Sequence, residues 1–224
     1  PKTFQYIEKN LKMVEGILRR SVSSRTPLVP RVGRYIFDSG GKRIRPSLLL
    51  LSARLCGFRS KDGGRPDRPI RLASVMELLH TATLLHDDVL DGAEVRRGWA
   101  SVNSVWGNRV SILMGDYLFA RASSLFVEDG DSKIMRILSR TINSMVEGEL
   151  IQLNSAMEKK VSERHCLSVI AKKTAGLFSA CCECGAVAGG GNSTEGKALR
   201  EFGLALGIAF QLVDDNMDYS HPKS

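Results

Sequence analysis

Apolar residues recur at intervals of three and four along almost the whole chain. Leu72, Val75, Met76, Leu79, Thr83 and Leu84 show the spacing, which is the period of an α-helix and not of a strand. The pattern predicts an all-α fold, a bundle of long helices. It breaks where glycine and proline cluster, at 26–30, 39–41, 57–69, 92–98, 128–131 and 189–196. The intervals between breaks predict helices near 3–23, 29–38, 46–56, 69–91, 100–106, 109–127, 131–157, 162–188 and 195–219. Those at 69–91, 162–188 and 195–219 are apolar around much of their circumference and carry small residues, which predicts central positions in the bundle.

The chain has 224 residues, 43% hydrophobic, 25% charged and 6% aromatic, a composition that excludes a disordered segment and leaves room for a sizeable core. The densest apolar run, 48–51, is far short of the roughly 20 residues that cross a bilayer. Pro1-Lys2-Thr3 opens into polar, helix-compatible sequence without a signal or transit pattern. Together these lead us to expect a soluble, cytoplasmic protein with no transmembrane segment. Of the five cysteines, Cys181, Cys182 and Cys184 lie too close in sequence for a disulfide framework. Their CxxC spacing lacks a second pair at zinc-site distance, so they are read as small apolar residues alongside Ala180, Ala186 and Ala188. The formal charge of +8 points to an anionic partner.

The chemistry begins at the end of an apolar helix. Val75 to His86 is followed by Asp87-Asp88-Val89-Leu90-Asp91, and Gly92 stops the helix. Asp87 and Asp91 are one turn apart on one face, where mutual repulsion and the negative end of the helix dipole disfavour both unless cations are present. The alternative is a solvated helix end with scattered acids. Asp214-Asp215-Asn216-Met217-Asp218 repeats the spacing after another apolar helical run. Two such clusters on separate helices can face each other across a cavity. Carboxylate oxygens without cysteine or histidine select hard ions such as Mg²⁺. An EF-hand loop is excluded at the second cluster, because its sixth position is Tyr219 where glycine is required.

Cations sit where phosphates would need them. Gly40-Gly41-Lys42-Arg43-Ile44-Arg45-Pro46 places a flexible basic loop ahead of a helix start, so that backbone amides, helix dipole, Lys42 and Arg45 can converge on one anion. A solvated loop is the bland alternative. Arg96-Arg97-Gly98 adds two guanidiniums just after the first acidic cluster. Lys172-Lys173-Thr174 and Gln211 interrupt otherwise apolar helices, Gln211 one turn before Asp214. His80 lies two turns before Asp87 on roughly the same face; a lone histidine in an apolar helix is more often a core residue than a ligand. His86 points elsewhere and is read as structural.

Four segments, GGKRIRP at 40–46, HTATLLHDDVLDGAEVRRG at 80–98, KTAGLF at 173–178 and FQLVDDNMDYS at 210–220, together resemble the ordered motif set of the all-trans isoprenyl (polyprenyl) diphosphate synthases, over essentially the whole chain. The resemblance implies the isoprenoid synthase helical bundle around a deep central cavity, a homodimer, and three Mg²⁺ ions. It implies that Asp87 and Asp91 bind Mg²⁺ with Asp88 in support, and that Asp214 ligates a third ion beside Asp215 and Asp218. Arg96, Lys173, Thr174 and Gln211 match positions that hold the allylic diphosphate; Lys42, Arg45, His80 and Arg97 match those that hold isopentenyl diphosphate. Lys173 is counted with the aspartates as catalytic. Bulky residues four and five positions before the first aspartate close the cavity early in this family. Here those positions are Thr83 and Ala82, which implies a long product, about C40 by analogy within the fold, grown from a starter such as farnesyl diphosphate. The cavity floor is expected deeper, near Met135, Leu138 or Met145.

The chain reads as one polyprenyl synthetase domain over 1–224, without the family's C-terminal helices. Asn216 stands at a spacer more often apolar and Ala100 where proline is common. A shorter-chain farnesyl or geranylgeranyl diphosphate synthase is the alternative within the family. A class I terpene cyclase would carry a different second acidic motif and needs no second diphosphate pocket. A noncatalytic subunit of a heteromeric synthase tends to lose the aspartates, which are intact here. A nucleic-acid-binding protein would account for the charge but not for two acidic clusters on apolar helices.

Overall fold

The computed structural model describes residues 5, 7–58, 67–158 and 162–220, with the side chains of 156–158 and 218–220 outside the description. The order of elements is α1 (Glu8–Ser21), α2 (Leu28–Asp38), α3 (Ile44–Leu55), α4 (Arg68–Leu90), β1 (Val95–Arg96), β2 (Trp99–Ala100), α5 (Val102–Trp106), α6 (Asn108–Asp129), α7 (Ser132–Glu158), α8 (Glu163–Ile170), a π-helical turn (Ala171–Ala175), α9 (Gly176–Gly189) and α10 (Ser193–Ser220). The all-α expectation holds. Most predicted segments coincide with a helix to within a few residues, because most breaks carry a real stop. Gly130 and Gly190 take left-handed conformations at the ends of α6 and α9. Ser101 and Ser162 cap α5 and α8 with their side chains. At the start of α10, Asn192 Oδ1 accepts from the amides of Thr194 and Glu195 while Glu195 accepts from the Asn192 amide, a reciprocal cap.

Two departures matter. The segment read as one helix over 162–188 contains the π-helical turn, which inserts one residue between α8 and α9. The loop after the first acidic cluster is a small antiparallel hairpin pairing Val95 with Ala100 and Arg96 with Trp99. Its two central residues, Arg97 and Gly98, have φ of 54° and 79°, the signs that a type I′ turn requires.

The described residues fall into two compact units. The first comprises residues up to Leu50 and Asp67–Gly130. Its centre is α4, buried along nearly its whole length, with α6 beside it and Val14, Leu18, Val32, Phe37 and Leu118 completing the core. Ser111 Oγ donates to the Leu85 carbonyl at 2.9 Å. Gly115 faces the His86 ring, which would lie 2.3 Å from a Cβ there. His86 Nε2 also meets the Ile112 carbonyl at 3.2 Å, in keeping with a structural role. By length and composition α6 can cross a membrane, alone among the described helices. The sequence reading, which counted only unbroken apolar runs, did not foresee this. One side of α6 buries Ser111, Met114, Gly115, Leu118 and Ala122 within the unit; the other exposes Ile112, Leu113 and Phe119.

The second unit comprises residues 51–66 and 131–224. Its core is α9 with α10, α7 and the π-turn. Leu177, Phe178, Cys181, Cys182, Cys184 and Ala186 are fully or almost fully buried. Burial pushes the Cys182 thiol up to about 11, against a hydrogen bond from Ser52 that lowers it; this is an inert, apolar cysteine. Leu138 and Met145 of α7 are buried and Met135 half-buried. Gly203 and Gly207 of α10 abut the backbone at the start of α9: a Cβ on Gly203 would lie 2.7 Å from the Phe178 carbonyl oxygen, and one on Gly207 2.5 Å from the Ala175 Cα. The rings of Phe178 and Phe210 meet at a tilt of 38° beside this contact, their centroids 5.3 Å apart.

Candidate functional site

In the first unit the acidic cluster ends α4. The Asp91 amide donates to the Asp87 carbonyl at 2.8 Å, so helical geometry persists through the cluster and both carboxylates share a face. Asp87 is half-buried and Asp91 exposed. Asp88 points inward, 3% exposed, and accepts from Arg96 Nε at 2.8 Å and from Arg96 Nη2. The three aspartates therefore differ in setting: Asp88 is buried against an arginine, Asp87 is half-buried and Asp91 is exposed. The helix end itself is held by the Ala93 amide on the Asp88 carbonyl and by Asn103 Nδ2 on the Asp88 and Ala93 carbonyls. The hairpin is anchored by Tyr35, whose hydroxyl donates to the Ala100 carbonyl at 2.7 Å and whose ring meets Trp99 and Trp106 edge-on.

The basic residues gather around the same helix. Arg97 Nη1 donates to the Gly40 carbonyl, joining the hairpin turn to the glycine loop. A small cavity of about 50 Å³ opens here, with Phe37, Thr81, Asp88, Arg96 and Arg97 in its wall. Lys42 is exposed and Arg45 half-buried in the first turn of α3. Burial first, then the positive charges of Arg45, Arg97, Arg96 and Arg43, hold His80 well below the ordinary histidine value of 6.5. His80 is therefore neutral near pH 7, able both to donate and to accept a hydrogen bond. Burial also lowers the Arg97 pKa, with Arg43 and Arg96 acting in the same direction and Glu77 and Asp88 opposing.

The His80 environment has a measurable consequence. The unfolded chain protonates this imidazole as pH falls through about 6.5, whereas the folded chain keeps it neutral to lower pH. The unfolded state then binds more protons, so this group lowers stability as pH falls below 6.5. Urea midpoints at pH 7.5 and 5.5 should therefore fall further for the parent than for His80→Gln. Equal losses in both proteins would contradict the depressed pKa.

In the second unit, the π-turn presents Lys172, Lys173 and Thr174. Thr174 Oγ1 donates to Gln211 Oε1 at 2.9 Å, and Gln211 Nε2 donates to Asp215 Oδ1 at 2.7 Å. This fixes the polarity of the Gln211 amide and links the π-turn to the second acidic cluster. Lys172 pairs with Glu147 at 2.7 Å, and Lys173 pairs with Glu149 and donates to Gln152. Gly148 lies between those glutamates; a Cβ there would be 3.1 Å from the Lys173 amide nitrogen, so α7 approaches the π-turn closely because residue 148 has no side chain. Asp214 is exposed and Asp215 half-buried. Asp218 continues α10, and its side chain lies outside the described residues.

The structure thus brings Asp87, Asp88, Asp91, Arg45, Arg96, Arg97 and His80 together in one unit, and Lys173, Thr174, Gln211 and Asp215 in the other. Sequence reasoning missed the supporting residues Tyr35, Glu77, Trp99, Asn103 and Gly148, and used Arg43 only as part of a basic loop. A glutamate at 77 between apolar neighbours was a legible signal; the tyrosine and tryptophan contacts were not, because they depend on the hairpin.

With oxygen donors alone at the end of α4, the donor chemistry fits a hard divalent cation. Among the described residues no three or more histidine, cysteine, aspartate or glutamate side chains gather into a metal cage. A hard cation such as Mg²⁺ is typically held by one or two carboxylates together with water and substrate phosphates.

The polyprenyl synthetase family matches residues 26–224. The octaprenyl diphosphate synthase of Escherichia coli (strain K12) is 37% identical over 207 residues, which cover 92% of this chain and 62% of that protein. The crystal structure of a decaprenyl diphosphate synthase from Rhodobacter capsulatus superposes with a TM-score of 0.90 at 42% identity, over 97% of this chain and 66% of that one. The polyprenyl synthase from Caulobacter crescentus CB15, complexed with calcium and isoprenyl diphosphate, gives 0.91 at 39% identity, over 97% and 65%. This chain therefore spans somewhat under two thirds of the length of the curated relative. A divided aspartate cluster at the end of a buried helix, arginines around a neutral histidine and a match over residues 26–224 agree on one conclusion, that the chain belongs to the polyprenyl synthetase family.

Proposed function

We propose that this chain carries the site of a trans-prenyltransferase that joins isopentenyl diphosphate head-to-tail to an allylic diphosphate and repeats the step to a long all-trans polyprenyl diphosphate, about C40 by analogy within the fold. The observation that carries the reading is the gathering, around the end of α4 in one unit, of the carboxylates Asp87 and Asp91 with the basic side chains Arg45, Arg96 and Arg97 and with His80. Asp87 and Asp91 would hold Mg²⁺ beside Arg96, and His80 sits with Arg45 and Arg97. Asp214 would hold a further ion, with Asp215 and Asp218 beside it. When bound, Mg²⁺ would neutralise charge on the departing diphosphate.

The chain's own groups would do the rest. Arg96 would bind the allylic diphosphate and steady it as its carbon–oxygen bond breaks. Lys42, Arg45, Arg97 and neutral His80 hold the second diphosphate so that its double bond faces the allylic carbocation. The new carbon–carbon bond forms, and a proton leaves to the released diphosphate. Apolar walls along the growing chain would exclude water from the cation. The exposed apolar face of α6, with Leu113 67% exposed, is the surface we assign to a homodimer.

The reading is tested by incubating the protein with isopentenyl diphosphate, farnesyl diphosphate and Mg²⁺ and measuring products by mass spectrometry. A ladder ending near C40 that vanishes without Mg²⁺ is expected; no prenyl transfer in either condition would overturn the proposal. Ala82 is buried and Thr83 half-buried on α4, and neither is bulky. Ala82→Phe should shorten the product by several isoprene units, and an unchanged ladder would remove the chain-length role of this position.

A further inference from the structure

We propose that Arg43 is a positioning residue: clamped between Glu77 and Glu15, it holds the glycine-lysine loop in the shape that binds a diphosphate, without touching that ligand itself. The inference rests on the assignment of Lys42 and Arg45 to the isopentenyl diphosphate site.

Three cations stand in the loop sequence, and the structure separates Arg43 from the others. Its side chain is 9% exposed and turned into the unit. Nη1 donates to Glu77 Oε1 at 2.8 Å, while Nε and Nη2 donate to the two oxygens of Glu15 at 2.5 and 3.3 Å. Glu77, 3% exposed, is a carboxylate inside the apolar face of α4, a placement that is tolerated only when charge and hydrogen bonds are supplied. Arg43 supplies both. Burial works against its charge, yet the two carboxylates together raise its pKa above the ordinary arginine value. With its charge matched by two acids, Arg43 has little left to offer an incoming anion.

Its effect is on the loop. Arg43 has φ of 49°, a left-handed conformation that residues other than glycine seldom adopt. The clamp holds it there, and the Arg43 carbonyl accepts from the Ser47 hydroxyl and amide, starting α3 at a fixed point. Gly41 leaves room for the guanidiniums on either side: a Cβ there would lie 2.7 Å from Arg43 Nη1 and 2.9 Å from Arg97 Nη1. The loop is thus tied to α1 and α4 through Arg43 and to the hairpin through Arg97. Glu77 stands three residues before His80 on the same helix, so one ion pair sets the position of Lys42 and Arg45 against His80.

The test is a split between Michaelis constant and turnover. Arg43→Lys keeps the charge and loses the planar fork; Glu77→Gln keeps the shape and loses the charge. Each should raise KM for isopentenyl diphosphate about tenfold or more, with KM for the allylic substrate and saturated kcat within about twofold. The double variant should be no worse than the poorer single one. Glu15→Gln, at a partly exposed partner, should fold readily and raise the same KM by about threefold, and it decides the matter if the buried variants fail to fold. An unchanged KM in the variants of an active parent, or an equal fall in every kinetic constant, would overturn the positioning role while leaving the prenyltransferase reading intact. A parent that shows no prenyl transfer would overturn that reading instead. Calorimetric binding of inorganic pyrophosphate to parent and variants then decides the clamp, with about tenfold weaker binding in the variants expected and equal binding overturning it.

Discussion

Asp87→Ala is expected to lose on the order of 10³ or more in turnover while keeping its fold. Asp87 and Asp88 are adjacent at the end of α4 but differ in setting. Asp88 is turned inward against Arg96, and Asp87 and Asp91, half-buried and exposed, stand one turn apart at the negative end of a 23-residue helix. Two carboxylates one turn apart repel each other, and a divalent cation between them would turn that repulsion into binding. Mg²⁺ dependence of the residual rate is the sharper reading: the variant should need more metal than the parent to reach half its own maximum. Circular dichroism should show an unaltered helical spectrum. Near-normal turnover at ordinary Mg²⁺ would remove Asp87 from the metal site and with it the main support for the proposed chemistry.

Gly207→Val is expected to destabilise the chain by about 3 kcal/mol, near the upper end for overpacking. The neighbour in the way is the Ala175 backbone, 2.5 Å from a modest Cβ, which cannot rotate aside as a flexible side chain could. Relief requires α10 to move away from the start of α9, and Gln211, one turn further along α10, would move with it. The Thr174–Gln211 hydrogen bond should weaken in consequence. A thermal midpoint lower by about 10 °C is the expected reading for a chain of this size. Gly196→Ala is the control, because nothing lies within 4 Å of a Cβ at that helical position; it should leave the midpoint unchanged or raise it by a degree or two. Similar losses in both variants would show that close approach at Gly207 is not what matters.

Much of this was legible in the residues. The helix over 69–91 was set by its apolar period and by Pro69 and Gly92 at its ends, and α4 runs from Arg68 to Leu90. The division between Asp88 and its neighbours was legible only in part, since spacing put Asp87 and Asp91 together but could not name Arg96 as the partner of Asp88. The hairpin escaped because two-residue strands are too short to show alternation. Arg43 escaped because its role lies in a backbone angle and two carboxylates distant in sequence, and a string of three basic residues looks the same whichever of them turns inward. The π-turn escaped because one extra residue barely disturbs an apolar period. The polar Lys172-Lys173-Thr174 interruption was its only trace.

That extra residue carries a consequence of its own. The wide turn absorbs that residue, so α8 and α9 keep their facing while the backbone between them bulges. Deleting one of Ala171–Ala175 should close the bulge into an unbroken α-helical ladder with both flanks still seated, because about 100° per residue over four residues nearly equals the advance of the five-residue wide turn. The loss would fall on the polar side chains set by the bulge: Lys172, Lys173 and Thr174 would shift, and with them the Thr174–Gln211 hydrogen bond. A protein made regular by every local rule of helix formation would then keep its fold and lose its polar ledge.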